Sequence, residues 1–168
     1  MATIKFLNSK GKYQDEQAVN DVITYILQDV KTPSKVIGGY GLDLTAPVQG
    51  MEQMALMHGK NTGVRLRHFV ISFHPSEISG IGHLQAIGNA VAAMIGLEYS
   101  VVFALHEDTD FPHIHFVFSA VDYSGKRYRG DKQSHNQLKC SVRSILWQHG
   151  IRICYEVKYR VQDSNGDE

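Results

Sequence analysis

An α+β fold is predicted, with helices packed on a central antiparallel sheet of about five strands, and three observations predict it. Apolar residues switch along the chain between helical three- and four-residue spacing and strand alternation. The strand segments 99–105 and 113–121 face each other across a short acidic turn, as antiparallel neighbours do. The element order, β-α-α-β-α-β-β-α-β, sets helices on an antiparallel sheet, a layer arrangement of the α+β class.

Residues 2–8 (ATIKFLN) read as an opening strand that ends at the turn-prone SKGK. From Asp15 to Val30, Val19, Val22, Ile23, Ile26, Leu27 and Val30 recur at the spacing of an amphipathic helix. Pro33 and the Gly38-Gly39 and Gly41 positions then predict a loop. A methionine-rich helix follows over Val48 to His58, with Met51, Met54 and Ala55 inward. Residues 64–73 (VRLRHFVISF) form a strand. Pro75-Ser76-Glu77 opens the next helix, with Ser76 as N-cap, and Ile78, Ile81, Leu84, Ile87, Val91, Met94 and Ile95 continue it. After the two strands across the acidic turn, Tyr123 to Lys126 make a turn, Ser134 to His149 a helix, and 151–161 (IRICYEVKYRV) a last strand.

Composition sets the outer limits. At 168 residues the chain fits one domain, on a usual range of about 100–200. Residues 1–161 are read as that domain, and 162–168 (QDSNGDE) as a linker into a further C-terminal region. Lys plus Arg equal Asp plus Glu at 17 each, which argues against indiscriminate nucleic-acid binding but not against a local basic groove. Cys140 and Cys154 have no CxxC spacing, so neither a disulfide framework nor a structural zinc site is expected. The N-terminus lacks an apolar signal core, and no stretch approaches the ~18 apolar residues needed to span a bilayer. A cytoplasmic protein without membrane insertion is expected.

The segment 106–119, HEDTDFPHIHFVFS, holds the chemistry. His113 and His115 lie two apart on a strand, so both imidazoles point to one face while Ile114, Phe116 and Phe118 point to the other. His106 ends the neighbouring strand and can lie opposite them. Three converging imidazoles describe a divalent-metal site of intermediate softness, suited to Zn, Mn, Ni or Co and less to Mg. Asp108, two residues beyond His106, is a candidate to hold a ring N–H and fix the ligating tautomer. Neutral ligands leave a metal its full charge to polarise an oxygen, which suits carbonyl hydrolysis, water activation or phosphodiester chemistry, and spacing does not choose among them. A covalent route needs a nucleophile. Tyr25, in DVITYILQDV, flanks the apolar stripe of the first helix, where the alternative is a boundary aromatic with its hydroxyl in water.

HEDTDFPHIHFVFSAVD resembles the third motif of the conjugative relaxases, the DNA-nicking proteins of mobile elements, within the HUH endonucleases. His113-Ile114-His115 match the paired histidines, and His106, Asp108 and Pro112 match the relaxase additions. RHFVISFHPSE (67–77) resembles the middle motif, and AVNDVITYIL (18–27) the helix that carries the nucleophilic tyrosine. The resemblance implies that Tyr25 attacks a phosphodiester at an origin of transfer, leaving a 5′-phosphotyrosyl DNA and a free 3′-OH. It implies that His106, His113 and His115 hold the metal, with Mn or Mg the expected physiological ion and Zn, Ni or Co as others. Asp108 and Glu77 would support the site, and Ser72 would contact DNA. Its partners would be single-stranded DNA with an adjacent hairpin, accessory relaxosome proteins and a type IV coupling protein, in the bacterial cytoplasm.

Tyrosine order supports this version of the site. The helix after the histidines contains no tyrosine, whereas replication initiators and transposases of the HUH group carry theirs there. Tyr40, and more remotely Tyr13, are the other candidates for the nucleophile. Asp21 and Asp29, one turn to either side of Tyr25, are candidate bases by helical proximity. Of the basic residues Lys60, Arg65, Arg67, Lys126, Arg127, Arg129 and Lys132, the KRYRGDK cluster (126–132) is the first choice for DNA contact. Two other readings stand beside the nuclease: a small hydrolase with three histidine ligands and an activated water, and a non-catalytic origin-binding module.

Overall fold

The computed structural model describes residues 1–7 and 11–153. Five strands form one sheet: β1 (Thr3–Leu7), β2 (Ile37–Tyr40), β3 (Leu66–Ser72), β4 (Val101–His106) and β5 (His113–Ser119). Their order is β1-β3-β5-β4-β2 and every neighbouring pair is antiparallel. Four helices cover the sheet: α1 (Ala18–Ile26), α2 (Pro47–Met57), α3 (Ile81–Ile95) and α4 (Lys132–Gln148). The α+β expectation holds.

Strand alternation divides the core in two. On one face Phe69, Ile71, Phe103, Leu105, Ile114, Phe116 and Phe118 pack with Leu84, Ile87 and Val91 of α3 and Val142 and Leu146 of α4. On the other face Leu66, Val102, Ala104 and Val117 pack with Val19, Val22, Ile23 and Ile26 of α1 and Met51 of α2. The histidines interrupt this second, thinner layer.

Several elements differ from the sequence expectation. The glycine stretch read as a loop is the edge strand β2. It pairs with β4, Gly38 opposite Phe103 and Gly39 opposite Val102. The glycines are there for close approach: a Cβ on Gly38, or on Gly88 of α3, would come within 2.5 Å of the Phe103 ring. Helix α1 is shorter than the 15–30 pattern, and the Asp15 carboxylate accepts from the Gln17 N–H ahead of it. In α2 only Met51 is buried, with Met54 and Ala55 half-buried.

The segment at Pro75 is a separate 3-10 turn, with α3 starting at Ile81 after Gly80. There the imidazole of His74, rather than Ser76, is the capping acceptor, taking the Ser76 N–H. The Asp131 carboxylate caps α4 through the Ser134 N–H. Of the predicted last strand, Ile151 to Ile153 are described, and Ile153 forms a parallel bridge with Ala2. The remainder of that strand and the 162–168 linker, with Cys154, Tyr155 and Tyr159, lie outside the described residues. Cys140 is a free, exposed thiol on α4. No helix among the described residues is long and apolar enough to cross a membrane.

Candidate active site

Strand register assembles the histidines. Pairing places Ser72, His113 and His106 in one row across β3, β5 and β4, and Val70, His115 and Ala104 in the next. Residues in one cross-strand row share a face. His106, His113 and His115 thus converge beneath α1, with one ligand atom from each within 4.8 Å of the others. The ring centroids of His106 and His115 are 4.2 Å apart.

Hydrogen bonds decide which nitrogen each ring has left to offer. His106 Nε2 lies 2.8 Å from the Ile26 carbonyl, so it donates, and Nδ1 remains buried without a protein partner. His113 Nδ1 donates to the Phe111 carbonyl at 3.0 Å, leaving Nε2. His115 Nδ1 lies 2.8 Å from His68 Nε2, and His115 Nε2 is again buried without a protein partner. Buried ring nitrogens without partners are costly, and a divalent cation on their lone pairs removes that cost. This donor set fits a metal: three neutral imidazoles, each with its second nitrogen already oriented.

His68 extends the site further than the sequence motif shows. It is buried on β3, with Nδ1 3.1 Å from the Tyr13 hydroxyl. If His115 Nε2 is to ligate, His115 Nδ1–H donates to His68 Nε2, and His68 Nδ1–H donates to Tyr13. The tautomers of two residues therefore follow from one ligation. Burial pushes the His68 imidazole down to about 4, with repulsion from His106 and Lys12 adding to it. Burial pushes His115 further, to about 2, with His68, His106 and His113 adding to it. Burial also lowers His106, against an opposing contribution from its bond to the Ile26 carbonyl. Rings that resist protonation are ready to ligate at neutral pH.

Tyr25 stands over this cluster. Its ring centroid is 5.9 Å from that of His106 and 6.0 Å from that of His115, both edge-on. It is 43% exposed, so solvent and a substrate can reach it. The His106 bond to Ile26 pins the end of α1 one residue after Tyr25, so a single imidazole joins the tyrosine helix to the histidine cluster. A cleft of about 580 Å³ opens beside Tyr25, lined by Lys5, Lys12, Tyr13, Asp21 and His68. Asp21 shares it with Tyr25, whereas Asp29 pairs with Lys35 on the exposed side.

The other tyrosines fall elsewhere. Tyr40 pairs with Val101 at the far end of β4 from His106. Tyr13 is buried on His68.

Other expected site residues take different partners. Asp108 holds no ring N–H: its carboxylate accepts from Lys31 Nζ at 2.8 Å, and the Ile26 carbonyl fills the role expected of it at His106. Lys31 chiefly accounts for the lowered pKa of Asp108. Glu77 lies 2.9 Å from the N-terminal amine of Met1 rather than against a histidine. Ser72 is half-buried next to His113.

The KRYRGDK cluster lies beyond the end of β5 opposite His113, a strand roughly 20 Å long for its seven residues. Within it Arg127 donates to the carbonyls of Lys60, Thr62 and Val64, and Arg129 pairs with Asp131 at 3.2 Å. Lys126 and Lys132 are exposed. Lys60 donates to the Gly125 carbonyl, the Arg65 backbone N–H donates to the Tyr13 carbonyl, and the Arg67 guanidinium lies 5.5 Å from the Tyr128 ring.

Sequence reasoning missed Lys31 and His68. Lys31 Nζ lies 5.0 Å from the Tyr25 ring centroid. His68 was visible only as the histidine of RHFVISF, and its role depends on β3–β5 pairing.

An antiparallel sheet with this histidine triad on one face is the fold of the HUH endonucleases in their relaxase arrangement. Comparison with known families is direct: over residues 25–151 the chain matches the MobA/VirD2-like relaxase nuclease domain, and it belongs to that family. It is 25% identical over 154 residues to the protein rlx of Staphylococcus aureus, covering 91% of this chain and 45% of that one. It is also 25% identical over 128 residues to TraI of Escherichia coli, covering 74% of this chain and 18% of that one. The chain thus spans less than half the length of the curated relatives it matches.

Proposed function

We propose that this chain is the nicking domain of a conjugative relaxase, and that it cuts and rejoins one DNA strand at an origin of transfer through Tyr25. The observation that carries this reading is the seating of Tyr25 about 6 Å, ring to ring, from both His106 and His115. In the forward step a P–O bond forms between Tyr25 Oη and the scissile phosphorus. The P–O3′ bond breaks, the phenol proton is lost, and the departing O3′ takes up a proton to become a 3′-OH. Resealing is the same exchange in reverse, and because one phosphodiester replaces another it needs no external energy source.

His106, His113 and His115 hold a divalent ion, Mn or Mg by expectation, with Zn, Ni or Co also matching nitrogen donors. When bound, the ion supplies Lewis-acid neutralisation of the phosphate. The protein residues do the rest. His106 fixes the end of α1, and with it the tyrosine. His68 keeps the His115 lone pair facing the cluster. The cleft beside Tyr25, with Lys5 and Lys12 in its walls, gives a single strand a path to the hydroxyl. Ser72 and the cluster Lys126, Arg127, Arg129 and Lys132 are secondary candidates for DNA contact, and Asp108 and Glu77 support the site from outside the ligand set. Residues 1–161 make up this proposed nicking domain. Origin DNA with its hairpin, accessory relaxosome proteins and a type IV coupling protein are the proposed partners.

A denaturing gel tests this. Labelled single-stranded oligonucleotides tiled across candidate origins are incubated with the chain and Mn. A band shifted by the protein's mass is expected for wild type and is absent from Tyr25→Phe and His113→Ala. Adduct formation by Tyr25→Phe would remove Tyr25 as the nucleophile.

A further inference from the structure

Lys31 is built into this site with more constraint than a surface lysine has. Its backbone carbonyl accepts from the Glu107 N–H at 3.1 Å, and its own N–H donates to the Gln28 carbonyl at 3.0 Å. Its carbonyl is therefore tied to the strand end that carries His106, and its N–H to the turn that follows α1. The ammonium lies 2.8 Å from the Asp108 carboxylate and 5.0 Å from the Tyr25 ring centroid. Stability does not explain this arrangement. The pair is partly exposed, at 22% and 27%, and such pairs contribute little to folding.

We infer that Lys31 is a further catalytic residue, whose positive charge offsets the negative charge on Tyr25 Oη in both directions of strand exchange. The inference rests on the nucleophile reading above. When Tyr25 attacks, charge leaves Oη for the phosphate as the P–Oη bond forms and the P–O3′ bond breaks. On resealing, the 3′ oxygen attacks, the P–Oη bond breaks, and the same charge returns to Oη. A cation held over that tyrosine acts on the bond-making and bond-breaking state common to both directions. Asp108 is then a positioning residue, holding the ammonium over the tyrosine ring. The Asp108 bond, first, and the interactions with Tyr25 keep the ammonium protonated, its pKa raised above the ordinary lysine value.

The test is single-turnover cleavage by the full chain with Mn, using the oligonucleotide on which wild type forms its adduct. Lys31→Met, Lys31→Arg and Asp108→Asn are compared, and dissociation constants for that oligonucleotide and for Mn are measured for each. Lys31→Met is expected to slow cleavage and resealing alike by roughly a hundred- to thousandfold, as loss of one electrostatic contact to a reacting oxygen does. Both dissociation constants stay near wild type, Lys31→Arg recovers most of the rate, and Asp108→Asn loses less than Lys31→Met. A salt bridge of structural value alone would make the Met and Asn variants equally slow, since each breaks it, while Arg would keep it.

Cleavage by Lys31→Met at close to the wild-type rate overturns the inference and leaves Tyr25 untouched. So does a loss confined to oligonucleotide affinity, which makes Lys31 a DNA contact only. Absence of any adduct from wild type, or its persistence in Tyr25→Phe, overturns the nucleophile reading and this inference with it. Should Lys31→Met fail to fold, the Arg and Asn variants still separate the outcomes, because only a role of charge predicts activity in both.

Discussion

At the scale of single residues, the groups behind the three candidate ligand histidines share one property: they are all neutral. His106 donates to the Ile26 carbonyl, His113 to the Phe111 carbonyl, and His115 to the His68 ring. A carboxylate in any of these places would feed negative charge through the imidazole and reduce the charge the metal keeps for a phosphate. The carboxylate of Asp108 is turned to Lys31 instead. His68 should therefore matter to metal affinity without touching the metal. His68→Leu is expected to weaken Mn binding roughly ten- to hundredfold, the usual cost of losing a partner behind a ligand. His68→Gln, whose carbonyl can still accept, is expected to keep more of it. Calorimetric titration decides, and equal Mn affinity in wild type and His68→Leu would sink the idea. The grouping of His106, His113 and His115 was legible in the sequence from residue type and the two-residue period, while Tyr25 was singled out only by the resemblance of its helix to the relaxase motif. His68, Lys31 and the true partner of Asp108 were not, since each depends on which strands pair and where the turn after α1 folds back.

At the scale of elements, β2 shows where local signals mislead. Gly38 and Gly39 carry breaker residues' statistics, and the loop reading followed from them. In the sheet their missing side chains make room instead, with the Phe103 ring between Gly38 and Gly88 and the Val101 carbonyl 2.6 Å from where a Cβ on Gly39 would sit. That packing holds α3 close over β4, the strand that ends in His106. Gly88→Ala should therefore destabilise by about 1–3 kcal/mol through overpacking against Phe103. Gly82, on the same helix, has nothing within 4 Å of a built Cβ. Gly82→Ala should be neutral or slightly stabilising, since alanine favours helix by up to ~1 kcal/mol. Urea midpoints separate the two, and equal stability of both variants would remove Phe103 contact as the reason for the glycine. The long periodic elements α1, α3 and α4 were readable because burial enforces their spacing, while their ends were set by Asp15, Gly80 and Asp131 in ways the apolar pattern does not record.

Across the whole molecule, acidic and basic residues balance at 17 each, so self-repulsion contributes little to stability near neutrality. The pH dependence should come instead from the histidines buried under α1. His68 folds with its imidazole held down to about 4, against an ordinary value near 6.5. The unfolded chain thus binds more protons than the folded one between these limits, and stability rises with pH across them. The contribution is fully present above about pH 6.5 and is lost as pH falls toward 4. For His68 alone this amounts to on the order of 3 kcal/mol. His115, held down to about 2, extends the same loss to lower pH. Chemical denaturation of the metal-free chain at pH 7.5, 6 and 5 should show unfolding free energy falling at each step, with a shallower fall in His68→Gln. Saturating Mn should raise stability at pH 7.5 and lose that increment on acidification, because protons compete for the same ring nitrogens. Constant stability of the metal-free chain from pH 7.5 to 5 would mean that these rings do not stay neutral in the fold. The ready-made ligand set beneath Tyr25 would then have to be assembled by the metal itself.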